Sequence, residues 1–212
     1  MLRPKQRPAN IVSRDPERTR QRILAAALKE FAVRGFAGAR VGAIARRARI
    51  NKRMLYHYFQ DKNGLFRSVL RHKINERMRR AEEMAVDPKL VSSLPQWFRQ
   101  NCQDADWVRL LAWESLQSVR DSVLDEKERR RLARQVAEVI RKKQEAGRLR
   151  GDVPPHFVQL AKISLTMLPV ALPQLARLIV GCSPRNRKFQ EEYGRFLETI
   201  SVGFRPSIVV VK

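Results

Sequence analysis

Apolar residues recur along this chain at helical spacing. Leu24, Ala27, Leu28 and Phe31 fall at i, i+3, i+4 and i+7 near one end, and Phe189, Tyr193, Phe196, Leu197, Ile200 and Phe204 repeat the pattern near the other. Alternating strand patterns are nearly absent, so the spacing predicts an all-α fold. Asp15-Pro16-Glu17 supplies a capping side chain, a proline suited to the first helical position and an acid in the first turn. A helix is predicted from there to about residue 34, with Gly35 as its left-handed stop. Val41, Ile44, Ala45 and Ala48 form a second, short stripe, broken at Arg49-Ile50-Asn51, where Asn51 can cap a third helix. Advancing about 100° per residue from Leu55 puts Met54, Leu55, Tyr58 and Phe59 in one arc. Lys52, Arg53, Tyr56, His57 and Gln60 fall outside it. One face of the third helix packs and the other is free to read a partner.

A long connector helix follows from Asp61 to about Ala85, striped by Leu65, Phe66, Val69, Leu70 and Ile74. Lys62 at its start adds a charge to free backbone N–H groups, a pair suited to one phosphate. Asp87-Pro88 opens a segment with Leu90, Leu94, Trp97 and Phe98, after which Asp104 can start a helix running through Ser118. Val108, Ala112, Leu116 and Val119 fill one side of that helix, and Trp107, Leu110 and Leu111 the other, which predicts burial nearly all round. Glu114 projects from the second apolar side, and a buried carboxylate must be paired, protonated or facing a ligand. Residues 125 to 147 read as a charged amphipathic helix with Leu132, Val136, Val139 and Ile140 inward, ended by Gly147; its Arg129-Arg130-Arg131 run reads as a solvated face. The last two helices are predicted at about 155–181 and 184–204. Pro169 and Pro173 fall inside the first of these. Interior prolines there mean either a kink that frees the carbonyls of Leu165 and Pro169 or two helices joined near Pro169.

Charge turns this helical outline toward a function. The chain has 44 Lys and Arg against 21 Asp and Glu, a net +23, and residues 1–75 hold 19 basic but only 4 acidic side chains. A polyanion is the expected partner, and it belongs to the N-terminal third. A nonspecific nucleic-acid compaction protein also fits such a charge. Residues 1–14, with Arg3, Lys5, Arg7 and Arg14 among Pro4 and Pro8, read as an extended arm that either touches DNA or stays a solvated tail. Cys102 and Cys182 lie far apart, and His57, His72 and His156 are scattered singly. No zinc or disulfide spacing results, no metal or cofactor is implied, and a reducing cytoplasm is the expected home. No nucleophile with its base, phosphate loop or metal set suggests an enzyme. The longest apolar stretch, Ile163 to Cys182, is interrupted by Pro169, Pro173, Gln174 and Arg177, so no membrane span is expected.

Two short helices with a tight turn and basic flanks specify a helix-turn-helix whose second helix lies in a major groove. The stretch RVGAIARRARINKRMLYHYFQDKNGLFRSVL resembles the DNA-binding signature of the tetracycline-repressor (TetR) family of bacterial one-component regulators. The likeness is strongest at Ile44-Ala45, at Leu55 to Phe59, and at Lys62 with Leu65-Phe66. The chain departs from the family at Arg49, where a glycine is usual, at Arg40, where a threonine caps, and at Ala43, where an acid is usual.

The resemblance implies a three-helix DNA-binding head over residues 15–60, a connector and a ligand-binding and dimerising body over 61–205, and a tail over 206–212. It implies a homodimer on a palindromic double-stranded operator, nucleoid-associated when bound, and released by a small, largely apolar effector. Base readout is then expected from Lys52, Arg53 and His57, and phosphate contacts from Arg40, Tyr56 and Lys62. Effector contacts are expected from Trp107, Leu111, Glu114, Leu165 and Pro169, and the dimer interface from Phe189, Tyr193, Phe196, Leu197 and Ile200.

Overall fold

A computed structural model of the chain describes residues 15–86, 94–117, 123 and 125–204. The readings of the basic arm, of Leu90 and Val119, and of the 206–212 tail lie outside those residues. Ten helices are present among the described residues, and no strand. They are α1 (Pro16–Gly38), α2 (Val41–Arg47), α3 (Lys52–Phe59), α4 (Lys62–Val86), α5 (Leu94–Gln103), α6 (Ala105–Gln117), α7 (Glu126–Glu145), α8 (Pro155–Ala171), α9 (Pro173–Val180) and α10 (Arg187–Val202).

The local signals act as their chemistry requires. The Asp15 carboxylate accepts from the backbone N–H of Glu17 at 3.0 Å and of Arg18 at 3.2 Å, capping α1. Gly35 leaves the helical region at φ 64°, ψ −179°, and one more turn then carries α1 to Gly38. Ile23, Leu24, Ala27 and Phe31 of α1 form the centre of the head with Ile44, Leu55, Phe59 and, from α4, Leu65 and Leu70, all buried. Burying each large side chain of this kind contributes roughly 1.5–3 kcal/mol, enough to hold helices as short as α2 and α3 that would not persist alone.

α4 leads from the head into the body, where α5 packs against α8 and α10. Phe98 at the centre is fully buried, with its ring 4.9 Å from that of Tyr193 and 6.3 Å from that of Phe189. α6 lies across α1. There the Trp113 indole N–H donates to the Ala32 carbonyl at 3.3 Å. Leu116, expected on a buried side of this helix, is 78% exposed one residue before the end of α6.

The two prolines resolve into two helices. α8 continues through Pro169 to Ala171, and α9 starts at Pro173, bent by 88° from α8 about Leu172. Pro173 occupies the first helical position, where its missing N–H costs nothing. Pro169 is tolerated because the Leu165 carbonyl that it leaves unpaired accepts from the Tyr193 hydroxyl at 2.9 Å. No single described helix is long and apolar enough to cross a membrane.

Candidate nucleic-acid interface

α2 and α3 are held at a fixed angle by contacts that begin in α1. The buried Glu30 carboxylate accepts from the Arg40 backbone N–H at 3.2 Å and so caps the start of α2, a position that the Arg40 side chain leaves without a cap bond. Arg22 donates to the Ala48 carbonyl at 2.9 Å, fastening the end of α2 to α1. Asn51 then caps α3 by accepting from the Met54 N–H at 2.8 Å. The Lys52 side chain lies over Gly42, where a Cβ would stand 3.0 Å from Lys52 Cε.

Leu55 and Phe59 are buried beneath α3, with Met54 and Tyr58 at the margin. Lys52, Arg53, Tyr56 and His57 are exposed on the other side. The protein thus presents two ammonium or guanidinium groups, a phenol and an imidazole from one short helix. Arg46 and Arg47 at the end of α2 are exposed as well, as are Arg40 and Arg49. Arg46 and Arg47 were missing from the sequence-derived contacts, although their place at the turn of a basic helix pair was signal enough.

The turn carries strain. Arg49 sits at φ 54°, a left-handed conformation that costs a residue with a Cβ roughly 1–2 kcal/mol. Arg49→Gly is therefore expected to stabilise the fold by roughly 0.5–1 kcal/mol, the gain being trimmed by the greater freedom of glycine in the unfolded chain. Urea unfolding checks this, and unchanged stability would show that the turn is not strained.

Lys62, expected on a phosphate, also makes a contact within the protein. Its ammonium donates to the Ala37 carbonyl at 3.1 Å and stands 4.9 Å from the centre of the Phe36 ring. The end of α1 offers a carbonyl that has no helical partner, and Lys62 satisfies it, locking α4 to α1.

In the body the five expected effector residues divide, among the described residues, between the core and an ion pair. Trp107 and Pro169 are buried in the core, with Leu111 and Leu165 packed against it. The Glu114 carboxylate takes the Arg129 guanidinium at 2.7 and 2.9 Å, and thereby joins α6 to α7. A separate cleft of about 930 Å³ opens between α4 and the start of α7, lined among others by Arg71, Ile74, Asn75, Arg129 and Arg134. Arg71 closes one end of it on Asp125, with two contacts of 2.9 Å.

Two of the expected interface residues also change role. Phe189 and Leu197 are 2% and 0% exposed within a single protomer, so neither side chain has surface to offer a second copy. Tyr193 and Ile200 pack on the same core, and Phe196 is 45% exposed.

A capped, basic reading helix on a three-helix head, joined by one long helix to an all-helical body, defines a helix-turn-helix transcriptional regulator. The chain belongs to the TetR family. Its residues 23–69 match the family model described as bacterial regulatory proteins, tetR family, and residues 95–190 match a tetracycline-repressor-like C-terminal domain. The HTH-type transcriptional repressor SCO4008 of Streptomyces coelicolor is 35% identical over 173 residues, which is 81% of this chain and 88% of the relative. The HTH-type transcriptional repressor NicS of Pseudomonas putida is 44% identical over 66 residues, 31% of each chain. Among solved structures, the Streptomyces coelicolor protein SCO4942 superposes with a TM-score of 0.66 at 27% identity, covering 86% of this chain and 97% of its own.

Proposed function

We propose that the protein binds a palindromic DNA operator as a homodimer in the cytoplasm, represses the adjacent genes, and releases the operator when a small effector enters the body. The exposed face of α3, bearing Lys52, Arg53, Tyr56 and His57, is the observation that carries this reading. Repression is favoured by the two relatives named as repressors. Footprinting on genomic fragments tests it: one short palindrome protected above background supports the reading, and uniform protection of all DNA would favour nonspecific compaction instead.

A second copy would give the two reading helices the spacing of one helical turn of DNA, roughly 34–36 Å, or an in-phase multiple. The surface available for such pairing lies on α8, α9 and α10. Leu160, Leu168, Leu178, Ile179 and Phe196 stand exposed there, Leu178 at 77% and Ile179 at 74%. Exposed apolar side chains in this number mark an interaction surface. Leu178→Glu is expected to leave the 24.7 kDa protomer folded, shift sedimentation from dimer to monomer and abolish tight binding to a palindrome. A variant that is still dimeric would move the interface elsewhere.

A further inference from the structure

Among the described residues, the body contains cations that no carboxylate neutralises. Where α4, α5, α7 and α8 converge, Lys162 of α8 places its ammonium 3.8 Å from the centre of the Trp97 ring of α5. Lys162 and Lys143 have no carboxylate partner among the described residues. The acids nearby are already engaged: Asp104 by Lys73 at 2.8 Å and Arg77 at 3.6 Å, and Glu76 by Lys73 at 2.7 Å and Arg80 at 2.6 Å. Arg77 is further committed to Asn101, to which it donates at 2.7 Å. The N–H of that same Trp97 indole is buried without an acceptor.

A largely enclosed ammonium with only an aromatic face for company, on the same indole whose buried donor lacks its acceptor, is an incomplete arrangement. One group completes both: an anionic oxygen pair, accepting from the ammonium with one atom and from the indole with the other. We infer that this junction binds an organic monocarboxylate, with its carboxylate on Lys162 and the Trp97 N–H and its apolar part against the Trp97 ring and Leu165. The inference rests on the effector-responsive reading above and names the chemical class of that effector.

Protonation gives the site a signature. Lys162 keeps a little contact with water, yet protein surrounds the ammonium, and this desolvation, with the cations Lys143 of α7 and Arg77 of α4, holds its pKa down to about 7. A bound carboxylate favours the charged form and raises that pKa, so binding takes up a proton. Affinity should therefore be full below pH 7 and fall by up to about tenfold per pH unit above it, until the pKa of the bound form is reached.

Octanoate, octanamide and octylamine, equal in length and differing in charge, are the probes. Octanoate near a hundredfold excess over its Kd should raise the Tm by roughly 5 °C or more at pH 6.5. That shift should shrink toward the octanamide value at pH 8.5, and octylamine should give none. Lys162→Met, with its fold checked by circular dichroism, should lose the octanoate shift, and Lys162→Arg should recover part of it. Equal shifts from acid and amide at pH 6.5, a full octanoate shift in Lys162→Met, or no octanoate shift at millimolar concentration would each overturn the site. The acid-against-amide comparison uses the unaltered protein, so it decides the matter even if a variant fails to fold. Operator affinity measured alongside separates the two readings. A Lys162-dependent octanoate shift with unchanged operator affinity supports the anion site and overturns its role as effector site, whereas an operator bound normally without any shift overturns the site alone.

Discussion

Gly35→Ala is expected to destabilise the protein and to loosen the head from the body. At φ 64°, ψ −179° the backbone occupies a region that is essentially restricted to glycine, and forcing alanine into it costs about 1–3 kcal/mol. The added Cβ would also stand 2.8 Å from Trp113 Cε3 and 2.9 Å from Cδ2, so the indole must move. Movement there stretches the Trp113 hydrogen bond to the Ala32 carbonyl. The combined effect should lower Tm by roughly 5–10 °C, at about 2–4 °C per kcal/mol for a chain of this size. Trp113→Ala with Gly35→Ala forms the test pair. If the clash matters, the double variant should lose less than the sum of the two single losses, whereas strict additivity would leave only the backbone term.

Arg53→Ala is expected to cost operator affinity and specificity together. The guanidinium is exposed at the start of α3, a position from which a recognition helix reaches base edges, and loss of a good base contact costs on the order of 1–3 kcal/mol. That is roughly 5- to 150-fold on the cognate palindrome, with a much smaller loss on unrelated duplex. Titrations of both DNAs across a salt series distinguish the cases. Equal loss on every sequence, with a flatter salt slope, would make Arg53 a phosphate contact.

How far such residues were legible in the sequence depended on the range of the forces that place them. The two faces of α3 follow from a 3.6-residue period, and the arc that was read as inward, Met54, Leu55, Tyr58 and Phe59, is the arc that packs. The Asp15 and Asn51 caps are equally local. The inward contact of Lys62 was not legible because its long side chain ends on a carbonyl 25 positions away, a meeting that no window of sequence contains. Phe189 and Leu197 show a different limit. Periodicity says that a face is apolar, but whether α5 of the same chain or a second copy covers it is a matter of packing. For Glu114 the need for a partner was readable from burial alone, and Arg129 on the next helix supplies one; only the identity of the partner needed the fold. Lys162 left a faint trace, a single lysine directly before the longest apolar stretch of the chain.

The ion pairs of α7 have an effect beyond that helix. Arg130 with Glu126, Arg131 with Glu128 and Arg141 with Glu138 pair within one turn, and residues 76–212 as a whole hold 17 acids against 25 cations, while the exposed cations of α2 and α3 have no such neighbours on their own helices. The molecule therefore resembles a weighted compass needle. In the field of a duplex several ångströms away it experiences a torque as well as an attraction, and it should arrive head first before any base is touched. Raising the ionic strength shortens the reach of that torque to about 8 Å at physiological salt, so the fraction of collisions that land in the right orientation falls along with their number.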